Sequence, residues 1–504
     1  MNGRRYRFYS LFWTSAWLCL AATAPLAAQA PADPVQSIQE TPGALGPSPL
    51  GTGEITNPAQ QETQPTAAQQ EQEKNGPGAK VHTGTTSGLD TDARLRNLFN
   101  DHQYAQLATQ LDALPASDAQ LYRGLLANRS NDWTASLKLL EPLADEAAKA
   151  GDKPREKLIR KAVAEDYLRL GDYAKAAKAY QTLDERLNSE MTADERDEIE
   201  LPLKLLPLAA QNPPTTVEPC DPFRLVVSRN PLGLWDVGVF VDARPHTWML
   251  DPTAPFNLIS RSIAREVGLK VSDDAATVRS LTGRPIPVHM AVVPRFTIGG
   301  RLTLRNMTVF VFEDADYTYA RAKYKVQGVL GFPAVQAIGS LTIFNGDSAI
   351  EVRPAAQIAP PDKFDKLTDG APLYFDGDRV LVGLGKADQE RIYSIDAAGQ
   401  QTYLSSRYFS EHTDEFAGQK EELFSIPTNP DLPPQPAYTA ETVSLEVGAV
   451  TVPVHFVQVL TAPLGLAAID DVYGVLGLDA LDQLQSYTFD YRTMRFGVRP
   501  EQGR

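Results

Sequence analysis

A pattern of about eighty residues occurs twice in the second half of this chain, each time built around one aspartate. The first copy reads Trp248-Met249-Leu250-Asp251-Pro252-Thr253-Ala254, then Asn257-Leu258-Ile259-Ser260, and later Gly328-Val329-Leu330-Gly331 followed by Leu341-Thr342-Ile343-Phe344. The second reads Tyr393-Ser394-Ile395-Asp396-Ala397-Ala398-Gly399, then Thr402-Tyr403-Leu404-Ser405, and later Gly474-Val475-Leu476-Gly477 followed by Tyr487-Thr488-Phe489-Asp490. From aspartate to the first glycine of Gly-Val-Leu-Gly there are 77 residues in one copy and 78 in the other. Unrelated strand-rich segments rarely keep such a register, so the second half reads as a duplicated lobe.

A lone aspartate after an apolar strand is ordinarily a turn residue or a helix cap. The matched second copy is what raises Asp251 and Asp396 to candidate catalytic residues. Two carboxylates brought face to face cannot both ionise cheaply, so such a pair holds one shared proton near neutral or acidic pH. The ionised member can take a proton from water while the protonated one polarises a peptide carbonyl. The Gly-Val-Leu-Gly segments read as buried strands whose glycines allow close backbone packing, and they perform no chemistry.

On these residues the chain, over roughly 221 to 500, resembles the retropepsin and pepsin family of aspartic proteases. The resemblance implies two mostly β lobes, 221–358 and 370–500, with a catalytic cleft between them formed within one chain. It implies a peptide or unfolded protein as the occupant of that cleft, no cofactor and no metal, and a monomer. The family places Asp-Thr/Ser-Gly at each loop, where this chain has Asp251-Pro252-Thr253 and Asp396-Ala397-Ala398. In the family the hydroxyl residue after each aspartate bonds across to the other loop. Pro252 and Ala397 carry no hydroxyl, so both halves of that brace are expected to be missing. Thr253 and Ala398 also stand where the family has glycine, and Pro252 removes a backbone donor. A catalytic pair misplaced by about 1 Å can lose on the order of a hundredfold in rate. The altered loops therefore predict weak or absent peptidase activity, and the alternative is a non-catalytic pseudo-protease that binds a peptide or envelope protein by strand addition. Segments around Thr282-Gly283-Arg284-Pro285 and Asn429-Pro430-Asp431-Leu432-Pro433 are expected as flaps.

Upstream the composition changes twice. Arg4, Arg5 and Arg7 precede an apolar stretch from Tyr9 to Ala24 and small residues at Ala27 and Ala28, so residues 1–28 read as a cleaved export signal. Residues 29–88 are rich in Pro, Gln, Ala, Thr and Gly and read as a disordered tether. Together they predict an exported protein of the periplasm or cell envelope. Residues 89–210 turn helical: Ala162 to Tyr180 reads helix, Gly171-Asp172 turn, helix, and Leu121 to Leu140 repeats it around Asn131-Asp132-Trp133. The repeats resemble tetratricopeptide hairpins, with an irregular offset of 40 residues between Trp133 and Tyr173, and offer a surface for a protein partner.

The expected class is thus α plus β, a helical-hairpin domain followed by a two-lobed β domain. Against 48 basic residues stand 63 acidic ones, a net charge of −15, which argues against nucleic acid or an anionic membrane as partner. The six histidines include no His-x-x-x-His pair and no neighbouring cysteine, so a zinc site has no support. No Gly-x-Ser-x-Gly elbow and no phosphate-binding glycine loop occurs.

Overall fold

A computed structural model describes residues 85–279, 285–319, 322–354, 370–426 and 432–500, all within one compact unit spanning Val81–Arg504. The expected signal and nearly all of the expected tether lie outside the described residues. Helix begins at Thr85, four residues inside the stretch assigned to the tether.

Seven helices come first: α1 (Thr85–Asn100), α2 (Tyr104–Asp112), α3 (Gln120–Arg129), α4 (Trp133–Ala150), α5 (Lys153–Leu170), α6 (Tyr173–Leu187) and α7 (Ala193–Ala209). Their ends are written in the sequence. Asp132, Asp152 and Asp172 each accept the N–H three residues on, satisfying a donor that the first helical turn leaves unpaired. Gly151 and Gly171 close α4 and α5 with φ of 71° and 77°, a backbone that a Cβ disfavours. Thr192 and Glu195 form a reciprocal capping box at α7. Gly124 lets α3 and α4 approach: a Cβ there would stand 2.4 Å from the Leu140 side chain. Leu107, Leu125, Leu140 and Ile159 fill the core between these helices.

Everything beyond is mostly strand, in one nine-stranded, one thirteen-stranded and one small two-stranded sheet among the described residues. The duplicated sequence pattern folds into a duplicated pairing order. In the first half Arg244–Leu250 pairs in parallel with Gly328–Leu330, which pairs antiparallel with Leu258–Ser260, itself parallel to Leu302–Phe312. In the second half Arg391–Ile395, Gly474–Leu476, Tyr403–Leu404 and Val450–Leu460 repeat those pairings in the same order and sense. The halves are stitched by Gly339–Phe344 running antiparallel to Leu484–Asp490, so one apolar core, with Trp248, Phe296, Leu341, Tyr487 and Phe489, runs through both.

The helices dock on both halves. Near the second half, Tyr104 packs on Tyr374 at 4.7 Å between ring centres, the Ala105 N–H donates to Glu390, and Arg129 pairs with Asp376 at 2.9 Å. Near the first half, Gln336 donates to the carbonyl of Arg169, and α7 lies along the strand Ala275–Arg279. The flap tips expected at 282–284 and 429–431 lie outside the described residues. Only their stems are described, Ala275–Arg279 with Pro285–Ile298 and Glu422–Phe424 with Gln435–Val447.

Candidate active site

Both aspartates sit at the C-terminal end of a central strand, and the same backbone bond holds each. The Asp251 N–H donates to the Leu330 carbonyl at 3.1 Å and the Asp396 N–H to the Leu476 carbonyl at 3.0 Å. The Gly-Val-Leu-Gly strands are therefore what position the two loops. Side chains complete the seat: Asn257 Oδ1 accepts the Gly331 N–H at 3.0 Å, and Thr402 Oγ1 accepts the Gly477 N–H at 2.9 Å. Phe332 and Leu478 then donate to the carbonyls of Ala254 and Gly399, each at 2.7 Å. A Cβ on Gly331 would lie 2.2 Å from the Phe256 carbonyl oxygen, and one on Gly477 2.6 Å from the Gln401 carbonyl carbon. No side chain fits at either place.

Each loop turns its donors on its own carboxylate. Asp251 Oδ1 accepts from the Thr253 hydroxyl at 2.7 Å and from the N–H groups of Thr253 and Ala254 at 3.0 and 3.1 Å. Asp396 Oδ1 accepts from the N–H groups of Ala398 and Gly399 at 3.2 and 2.7 Å. The two loops also meet. Thr253 Oγ1, having given its proton to Asp251, accepts the Ala397 N–H from the opposite loop at 3.0 Å in a buried contact. The expectation that both halves of the cross-brace are lost is therefore corrected. One half survives, carried by the hydroxyl at the second position after the aspartate instead of the first. Pro252, the intervening residue, has no hydroxyl, and the buried Thr253 supplies the one that bridges the loops.

Electrostatics follow from this proximity. Asp251 is only 7% exposed, and burial raises its carboxyl above the usual range, against the bonds from Thr253 and Ala254 that favour its ionised form. Burial and then the Asp251 charge push the Asp396 carboxyl up to about 7. The two carboxyls named from the sequence are thus brought into mutual electrostatic range.

One residue of the site escaped sequence reasoning. Tyr491 donates its hydroxyl to the Pro252 carbonyl at 2.8 Å, tying the first loop to the end of the strand Leu484–Asp490. It is buried and packs against the rings of Phe332, Phe375 and Phe489. Burial and the Asp251 charge hold its hydroxyl well above the usual phenol range, so it remains a donor. Its only sequence signal is its place one residue past the duplicated Tyr487-Thr488-Phe489-Asp490. Among the described residues no cluster of His, Cys, Asp and Glu could hold a metal ion.

A family model described as aspartyl protease matches residues 237–334, a span that contains Asp251, its loop and Gly328 to Gly331. That part of the chain is an aspartic-protease-like region. The chain matches no curated protein in sequence. Among solved structures it is similar to conglutin gamma, a basic 7S globulin from lupine seeds, at 12% identity and a TM-score of 0.37, covering 56% of this chain and 96% of that one. It is similar to basic 7S globulin from soybean at 12% identity and a TM-score of 0.36, covering 56% and 95%. It is also similar to a retropepsin-like aspartic protease from Rickettsia conorii at 15% identity and a TM-score of 0.20, covering 27% and 94%.

Proposed function

We propose that this is an exported aspartic-type peptidase with a low turnover, in which two tandem lobes each contribute one member of an Asp251–Asp396 pair. The observation that carries the proposal is the Thr253 hydroxyl, bonded at once to Asp251 and to the Ala397 N–H of the other loop. It holds the loops together where the sequence alone left them unbraced.

The roles follow from the environments. Three donors favour the ionised form of Asp251, whereas Asp396 has two and lies in the field of Asp251. The shared proton therefore rests mainly on Asp396. Asp251 takes a proton from a water molecule as its oxygen attacks the scissile carbonyl, and Asp396 gives its proton to the carbonyl oxygen. The gem-diol then collapses with cleavage of the C–N bond: Asp251 gives its newly acquired proton to the leaving nitrogen while Asp396 takes a proton from a gem-diol hydroxyl as the carboxylic acid product forms, which restores the starting pair. A one-sided brace orients the pair less firmly than two would, which is why the turnover is low.

The test is cleavage of an unfolded protein at acidic pH by wild type, Asp251→Asn and Asp396→Asn. Activity lost in both variants supports the pair, and activity retained in both points to a contaminant. A second reading, peptide binding without cleavage, is favoured by the edge strand Glu422–Phe424, whose Leu423 is 75% exposed and open to pairing with an extended chain. Binding of peptides by a wild-type protein that cleaves none of them would select it.

A further inference from the structure

The two hairpin stems, one in each half of the β domain, are treated differently by the fold. Each presents a sheet edge: Ala275–Arg279 ends the nine-stranded sheet and Glu422–Phe424 ends the thirteen-stranded one. Among the described residues no other strand pairs with the second edge. The first is covered by α7, whose Glu200 Oε2 accepts the N–H of Thr277 from the open side of the strand at 3.1 Å. The other carboxylate oxygen of Glu200 is held by Lys204, one turn on, at 2.6 Å.

Helix α7 has two apolar faces with different partners. Ile199 and Leu206 pack into the helical bundle with Ala164, Tyr180 and Leu183. Leu201, Leu205 and Ala209 pack into a cluster with Ala276, Ile286 and Val288 of the hairpin. That same cluster takes in Met249, Val329, Ala254 and Phe256 around the Asp251 loop, and Ala398 of the Asp396 loop. A continuous apolar path thus leads from the helical bundle, through the hairpin stem, to the residues flanking both carboxylates.

We propose that α7 is a brace which fixes the hairpin stem formed by Ala275–Arg279 and Pro285–Ile298 beside the first loop, and that Glu200 is a positioning residue for peptide binding there. The consequence is an asymmetric cleft. The first hairpin stem is held by the helical bundle, whereas among the described residues no helix lies along Glu422–Phe424 of the second. The role in peptide binding rests on the peptidase reading; the brace itself does not.

Two measurements on the full chain test this, with Glu200→Ala and the conservative Glu200→Gln. Glu200 is half-exposed, so both variants retain the fold, and the amides of Gly339–Phe344 serve as an internal reference. In Glu200→Ala, amide hydrogen exchange across Ala275–Arg279 and the start of Pro285–Ile298 should rise about tenfold or more while the reference strand is unchanged. KM for an extended peptide should rise about tenfold with kcat moved less than about threefold, the mark of lost binding as opposed to lost chemistry. Glu200→Gln, which keeps an acceptor for the Thr277 N–H, should restore both. Exchange within about twofold of wild type in Glu200→Ala overturns the brace. Exchange that rises with KM unchanged, or no rescue by glutamine, overturns the positioning role of Glu200. A wild type that cleaves nothing strikes the peptidase reading alone, and exchange still decides the brace.

Discussion

Thr253 concentrates the problem of this site in one side chain. Its hydroxyl donates to Asp251 and accepts from Ala397, so replacing it by valine keeps the shape and strands a buried N–H. A buried donor left unpaired costs about 1–3 kcal/mol. Thr253→Val should therefore lower stability by that order in urea unfolding and reduce kcat by about tenfold or more, whereas Thr253→Ser should keep most of both. Asp396 gives a second expectation, on pH. Its folded pKa, raised to about 7, lies above that of an unfolded carboxylate, so the stability it contributes is fully present below about 4 and is lost as pH rises through 7. Peptidase activity should fall over the same rise, because the shared proton is lost. The aspartates themselves were legible because the chain carries the pattern twice. The brace was not, because its hydroxyl occupies the position where glycine was expected, and only the fold reveals that Thr253 is buried against the opposite loop.

Among the elements, the Gly-Val-Leu-Gly strands are the part the sequence spoke most clearly about. Their glycines imply a close backbone approach, and the approach is to the two aspartate loops: Gly331 to Phe256 and Gly477 to Gln401. An added methyl at either has no space to take, since its neighbour is backbone. Gly331→Ala and Gly477→Ala should each destabilise by about 1–3 kcal/mol, read from the shift in urea midpoint. Each should also weaken the bond that Asn257 or Thr402 makes to that residue's N–H, so activity should fall by more than the loss of folded protein explains. The helix pairs were legible for a similar local reason, since aspartate caps and left-handed glycines act within four residues. Strand partners were not, because Gly339–Phe344 finds Leu484–Asp490 across more than a hundred residues of chain, and alternation says which face is buried without naming the neighbour.

At the scale of the whole molecule, the helical bundle is anchored by charge as well as by packing, and no local signal announced it. Arg129, at the end of α3, pairs with Asp376, which also pairs with Arg379. Burial alone would raise the Asp376 carboxyl, but Arg129 and Arg379 overcome it and hold the carboxyl well below the usual range. The sign is therefore opposite to that of Asp396. Stability from Asp376 is present above the unfolded carboxylate pKa, about 4, and is lost as pH falls below it. The two carboxyls thus shape opposite limbs of one curve, Asp376 the acid limb and Asp396 the neutral one. Asp376→Asn should cost on the order of 2 kcal/mol at pH 6, because two largely buried guanidinium groups lose their shared anion. That deficit should shrink as pH is lowered toward 3, where the unfolded chain's carboxyl takes up a proton that the folded one does not. Asp396→Asn should leave the acid limb in place and flatten the fall toward pH 8, which melting temperatures measured across pH 3 to 8 would resolve. If both variants shift the whole curve evenly, neither carboxyl carries the charge that its surroundings assign to it.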